Sequence, residues 1–481
     1  MKTINYICLF LVLGFITTGE IWSAVEAPNF IVLLVDDLRW DEIGAAGYPF
    51  DPTPNVDRLA REGIIFRNAF STTPLCSPSR ASFLSGLYAH SHGIIDNTDR
   101  SAQSHKLQTF PQSLQQAGYV TGFVGKWHMG NDASPRPGFD YWVAVSGQGT
   151  SIDPVLNINH EQRPVKGYTT DILTDLAIEF LEKHGSKPFL LYLSHKALHP
   201  DLIQYADGSI SDPTASKFIP AQRHEHLYEN MPVPRRPSAF RKPVGKPALL
   251  RKIGDLPPLG KETATGDKTI RDRLRMLKAV DESLGRILQR LQRSETLDQT
   301  MIIFTSDHGY FYGEHGLSVE RRLAYEEAIR IPLVMRYPAR IRAGTERKQM
   351  VLNIDLAPTV LEVAGIKSEF KHQGRSLMPL FEQDANTWRS SFLIEYYTDT
   401  VFPRVLQMGY RAVRTPLLKY IDYLELENAD ELYNLQKDPY ERANIIGDPS
   451  AQDDLKKMQA ELKKLLQETG APASRPGKPA E

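Results

Sequence analysis

Apolar residues gather into short unbroken runs along the first three quarters of the chain, with stretches of helical periodicity between them. The runs are NFIVLLV at Asn29–Val35, YVTGFV at 119–124, FLLYL at 189–193 and MIIFT at 301–305. Runs of this length, without polar alternation, predict strands buried on both faces. Helical spacing marks 170–184 and 271–293. In the second, Leu274, Leu277, Val280, Leu284, Ile287 and Leu291 form one stripe, which is core packing and not a site. Strands alternating with helices predict an α/β fold: a mostly parallel sheet sandwiched by helices, in a large domain over 28–370. The segment 213–261 breaks the pattern with scattered prolines and few apolar runs, so it reads as a surface insertion. After Gly365 the signals turn β-like at 391–397, 410–414 and 418–423 and close in a helix near 452–468. This predicts a smaller C-terminal α+β subdomain over 371–469, followed by a disordered tail at 470–481.

The N-terminus adds a compartment. Lys2, an apolar stretch from Ile7 to Ile16 and the small pair Ser23-Ala24 read as a signal peptide over 1–24, implying a secreted or periplasmic protein. That stretch is too short to span a bilayer, so no stable membrane anchor is expected. Of the two cysteines, Cys8 falls in this segment, which leaves Cys76 without a partner in an oxidising compartment. A formal net charge of −1 gives no global attraction to nucleic acid or a membrane surface, and any polyanion must be met locally. One local source exists: 235–252 carries seven basic residues and no acid. Its plainer reading is a solvated loop, the other a polyanion contact.

Ligands in open α/β sheets gather beyond the carboxyl ends of the strands. Those ends carry Asp36-Asp37, then Gly125-Lys126-Trp127-His128, then His195 and His199, then Asp307-His308. Singly, each has a structural reading as a cap, a solvated lysine or a core histidine. At four equivalent strand ends together they indicate a site. Three carboxylates suit a hard divalent cation such as Ca²⁺ or Mg²⁺. Arg80, Lys126, His128 and His199 around it describe a site for a tetrahedral oxyanion, sulfate or phosphate. Pro78 suits the first turn of a helix through Arg80 to Leu84, which sets Cys76 at a helix N-terminus, where negative charge is favoured.

The blocks NFIVLLVDDLR, CSPSRASFLSG, GKWHMG, SHKALHP, SDHGYFYGEHG and ELYNLQKDP, spaced over most of the chain, resemble type I sulfatases of the alkaline-phosphatase superfamily. That resemblance implies a sulfuric ester hydrolase in which a maturation enzyme oxidises Cys76 to formylglycine (3-oxoalanine) during export. The aldehyde hydrate then supplies a hydroxyl nucleophile, and its second hydroxyl expels sulfate. It also implies that Asp36, Asp37, Asp307, His308 and position 76 surround Ca²⁺ (or Mg²⁺). Arg80 and His128 orient the hydrate, Lys126 and His199 hold the sulfate, and His199 protonates the leaving oxygen, His195 being the lesser candidate.

Two positions depart from the family pattern. His308 stands where many sulfatases have Asn, as in the iduronate-2-sulfatase branch, and imidazole is a poor match for Ca²⁺. Arg321 stands where a sulfate-binding lysine is usual. The stretch from Cys76 to Asn97, with Tyr88, His90 and His92, is similar to N-acetylglucosamine-6-sulfatases. The shared expectation is a sulfated carbohydrate substrate, and the alternative is a phosphodiesterase or phosphonate monoester hydrolase on the same fold.

Overall fold

The computed structural model describes residues 27–50, 52–211, 217–382, 387–397 and 402–472. The signal-peptide expectation and all of the tail beyond Pro472 lie outside them. Among the described residues no helix is long and apolar enough to cross a membrane.

The strands of the first sheet are β1 (Asn29–Val35), β2 (Ile64–Phe70), β3 (Val120–Lys126), β4 (Tyr141–Val145), β5 (Val155–Ile158), β6 (Glu161–Pro164), β7 (Phe189–Ser194), β8 (Thr300–Ser306), β9 (Arg330–Ile331), β10 (Leu333–Arg336) and β11 (Thr345–Leu352). They are ordered β11-β2-β10-β8-β1-β7-β3-β4-β5-β6, with β9 beside β2. From β8 to β4 the pairings are parallel, and antiparallel strands flank this centre. All four apolar runs are strands, and they lie side by side as β8-β1-β7-β3. Their carboxyl ends are therefore adjacent, which is why residues scattered from 36 to 308 meet.

Alternation sends Phe30, Val32 and Leu34 of β1 to one face and Ile31, Leu33 and Val35 to the other. The first face is covered by the Cys76–Ser85 and Leu356–Val363 helices. The second is covered by the Thr169–His184 and Asp267–Arg293 helices, the latter burying its whole predicted leucine stripe. A central strand was hidden in the sequence. IIFRNAF of β2 has Arg67 and Asn68 in its middle, but these half-exposed side chains turn to the Glu346 carboxylate and the Lys348 carbonyl.

The second sheet is antiparallel, β12 (Phe392–Tyr396), β13 (Tyr410–Arg414), β14 (Leu418–Tyr423) and β15 (Glu431–Asn434), with the Gln452–Thr469 helix packed on it. Gly470 ends that helix in the left-handed conformation, φ 71°, and the Ala471 amide bonds back to the Leu466 carbonyl. The middle of the proline-rich segment turns inward: Lys246, Ala248 and Leu249 are buried, the last two in the core shared with the second sheet.

Candidate active site

Strand β2 leads through 71–75 into the Cys76–Ser85 helix, every residue of which is buried. Pro78 sits in its first turn, where a missing N–H costs no intrahelical bond. Leu75 is extended (φ −148°, ψ 137°), so Cys76 is the first helical residue and faces the strand ends. Its Sγ lies 3.3 Å from His308 Nε2 and 3.8 Å from Asp36 Oδ1. Burial pushes the thiol up, but Lys126 and His308 together hold the group below its ordinary range. An anion at this position is favoured.

The strand ends supply the rest. Lys126, the last residue of β3, bonds Asp36 at the end of β1. Gly125 must be glycine: its φ is 128°, and a Cβ would lie 1.8 Å from the Ser194 carbonyl oxygen of β7. Burial opposes the charge on Asp36, yet Lys126 and Arg80 hold it well below the usual carboxylate range. Arg80 grips Asp307 Oδ2 with Nε and Nη2 (3.1 and 2.9 Å) and donates through Nη1 to the Lys126 carbonyl and Ser194 Oγ (both 2.7 Å). Asp307 is thus fully engaged, since its Oδ1 accepts the Asp37 and His308 amides at 3.0 and 2.9 Å. Burial, more than any neighbour, raises Asp37 and Asp307. Burial would depress His308, but Asp307 and Cys76 raise it to about 9.

Ligand atoms of Asp36, Asp37, Cys76 and His308 lie within 4.8 Å of one another, all buried. Asp37 Oδ2 has no hydrogen-bond donor, and Asp37 holds φ 60°, which turns its carboxylate into the cluster. The buried Asp37 carboxylate, raised in proton affinity and carrying an orphaned oxygen beside Asp36, fits a divalent cation. Asp307 stands behind this group of four, bound to Arg80.

Three further residues face the cluster. Arg321 Nε lies 2.8 Å from Asp37 Oδ1, and its Nη2 donates to His199 Nε2 at 2.8 Å. Since His199 Nδ1 pairs with the Pro200 carbonyl at 2.9 Å, its proton is on Nδ1 and Nε2 is an acceptor. Burial and then Lys126 keep the ring neutral. His199 is thus where the sequence expects it, but the nitrogen that would protonate a leaving group carries no proton while Arg321 holds it. His128, at φ 58°, bonds Gln204 Oε1 at 2.6 Å through Nε2 and leaves Nδ1 buried without a partner. Burial and then Lys126 lower it to about 3. His195 faces away, 3.1 Å from Ser283 Oγ on the long helix. Arg322 also turns away, its guanidinium 4.4 Å over the Phe402 ring.

Other side chains hold these groups in place. Ser77 Oγ bonds the His128 carbonyl, and Ser79 Oγ donates to the Asp307 carbonyl at 2.6 Å. Arg273 Nη2 donates to the Asp37 carbonyl at 2.7 Å. Gln204 accepts from His128 and, at 2.8 Å, from Gln148. The two serines lie inside the CSPSR run and were legible there. Gln204 and Gln148 sit in loops without periodicity and carried no signal.

Residues 28–366 match the sulfatase family, and 313–468 match the C-terminal region of N-sulphoglucosamine sulphohydrolase. The chain is 33% identical to an N-acetylglucosamine-6-O-sulfatase of Bacteroides thetaiotaomicron, over 92% of this chain and 86% of that protein. It is 29% identical to the human N-acetylglucosamine-6-sulfatase, over 88% and 82% of the two chains. A solved structure in complex with its substrate D-glucosamine-2-N,6-O-disulfate superposes with a TM-score of 0.81 at 30% identity, covering 94% of this chain and all of that one. With the strand-end cluster and the buried Cys76 helix, these matches show that the chain belongs to the sulfatase family.

Proposed function

We propose that this sulfatase removes 6-O-sulfate from a glucosamine-type residue of a sulfated saccharide, using Cys76 converted to formylglycine and a bound Ca²⁺. The observation that carries this reading is Cys76 at the head of a wholly buried helix, with Lys126 and His308 favouring an anion and carboxylates grouped beside it. The glucosamine class is supported by the similarity to an N-acetylglucosamine-6-O-sulfatase and to the structure in complex with D-glucosamine-2-N,6-O-disulfate. Oxygen donors outnumber nitrogen in the cluster, which suits a hard cation held by Asp36, Asp37, His308 and position 76, with Asp307 behind them. Such an ion, when bound, draws charge from the sulfate oxygens.

The aldehyde hydrate supplies the hydroxyl that attacks sulfur and the one whose deprotonation expels sulfate. The chain's own groups do the remainder. Lys126 favours negative charge at position 76 and, with Arg80, at Asp36. Arg321 places a guanidinium that cannot lose its proton across from the nucleophile, between Asp37 and His199, where a sulfate oxygen can take its donors. Substrate that draws Arg321 away frees His199 Nε2 to take a proton and pass it to the leaving alcohol. Gln204 fixes the His128 ring. Export with a cleaved signal peptide and oxidation by a maturation enzyme complete the reading.

The test is release of sulfate from defined substrates: glucosamine 6-sulfates, uronate 2-sulfates, an aryl sulfate and a phosphonate monoester. Preferential turnover of glucosamine 6-sulfates is expected. A uronate preference would overturn the sugar assignment, and phosphonate turnover matching sulfate turnover would overturn the reaction.

A further inference from the structure

The proline-rich segment and the loop that follows β15 line a cavity of about 590 Å³ that shares no lining residue with the Cys76 centre. Exposed Arg241 and Lys242 form one rim, and exposed Lys437 and Arg442 the other. None of these four cations is paired with a carboxylate among the described residues; Arg241 uses its Nε only on the Pro237 carbonyl, at 2.9 Å. Arg235 and Arg236 of the same segment are different, bound to Asp267, Asp41 and Glu327. The one acid in the lining, Asp438, is tied to its own turn, accepting the Ala443 amide at 2.8 Å.

The interior is polar and incomplete. Lys246 is wholly buried, with its ammonium 4.3 and 4.1 Å from the centres of the Tyr325 and Tyr433 rings and 3.7 Å from Glu431. Beside it, Ser238 Oγ and His315 Nε2 are buried and have no hydrogen-bond partner. A buried polar atom left unpaired costs free energy that a bound oxygen can recover. Four unpaired cations at the mouth and two orphaned polar atoms inside, in a chain of net charge −1, make a place for anionic oxygens. The loop from Asp307 to Arg321 serves both places, its ends at the Cys76 centre and His315 in this cavity.

We propose that this cavity is a second anion-binding site that holds a sulfate or carboxylate group of a polyanionic saccharide away from the scissile ester. The proposal rests on the saccharide reading above, and the shared chemistry of a free oxyanion is separated from a chain-borne one by the test.

The test uses the full chain as Cys76→Ala, titrated with a size-defined sulfated oligosaccharide, its desulfated counterpart and sodium sulfate. Lys242→Ala/Arg442→Ala in that background is expected to weaken the sulfated oligosaccharide roughly tenfold, the sum of two exposed ion contacts, and to flatten the salt dependence of binding. In the catalytically intact chain the same pair should raise KM for the oligosaccharide, with kcat/KM on a sulfated monosaccharide unchanged. Unaltered oligosaccharide binding, or an equal loss on the monosaccharide, would overturn the site. Sodium sulfate binding as tightly as the oligosaccharide would overturn the saccharide as occupant. Charge-dependent binding in a protein that releases no sulfate would sustain this site and sink the enzymatic reading instead.

Discussion

Two buried clusters of charge lie at the two ends of the segment 307–326, and they are built to opposite purposes. At the junction of the sheets, the Lys419 ammonium meets Glu326 at 2.9 Å, Glu441 at 2.7 Å and the Ala324 carbonyl at 2.8 Å. Arg414 reaches Glu326 at 3.3 Å, and Glu441 also accepts the Glu326 amide at 2.8 Å. These two acids and two bases bond one another and none of the four leaves a buried polar atom unpaired, with Arg330 Nε 3.8 Å from Glu326 at the edge of the group. The Cys76 centre has as many partners, yet Asp37 Oδ2 and His128 Nδ1 go without, and burial raises two of its three carboxylates. A closed network holds domains together; an incomplete one is poised for a ligand.

The largest test of that contrast is Cys76→Ala. Turnover should vanish while stability falls by no more than about 1–2 kcal/mol, measured by sulfate release and chemical denaturation. Intact-protein mass spectrometry of active material should show the aldehyde or its hydrate; full activity in a population bearing only the thiol would defeat the nucleophile assignment. Lys419→Met should do the reverse. Leaving Glu326 and Glu441 buried without their shared cation is expected to cost about 3–5 kcal/mol of stability, with kcat per folded molecule nearly unchanged. If that variant loses activity but not stability, the two clusters are not separate in role.

Arg321→Ala is expected to slow sulfate-ester cleavage by roughly two to three orders of magnitude, with Arg321→Lys recovering part of it. Arg322→Ala, whose guanidinium lies on Phe402, should leave the chemical step intact. The opposite pattern in steady-state kinetics would move the anion contact by one residue.

The smallest effect belongs to His90. Its Nδ1 meets Glu395 at 2.8 Å and its Nε2 the Thr469 carbonyl at 3.0 Å, so both nitrogens donate and the ring is a cation. Burial would lower its pKa, but the bond to Glu395 raises it, while His90 holds Glu395 below its usual range against burial. The folded value of His90 exceeds the unfolded one, so its contribution is complete below the ordinary histidine pKa of about 6.5 and fades as pH rises through the folded value. The contribution of Glu395 fades only at acid pH, below the ordinary glutamate range. His90→Gln should therefore cost about 1–3 kcal/mol at mildly acidic pH and less in alkali. A cost that does not vary with pH would show that this histidine is neutral.

The sequence alone determined the large α/β architecture, because uninterrupted apolar runs admit few structures other than doubly covered strands. It also determined the chemistry at their ends, because Asp36-Asp37, Lys126, His199 and Asp307-His308 each follow a legible strand. Tertiary structure decided what those residues face. It set β8, β1, β7 and β3 side by side, gave Asp307 to Arg80, and joined Arg321 to His199 across 122 positions of sequence. It found β2 behind two polar residues, and it buried Lys246 between two tyrosine rings inside a segment that reads as surface. Periodicity records which side of a strand or helix is dry. Pairing between distant charges depends on where those sides meet, and only the packed chain fixes that.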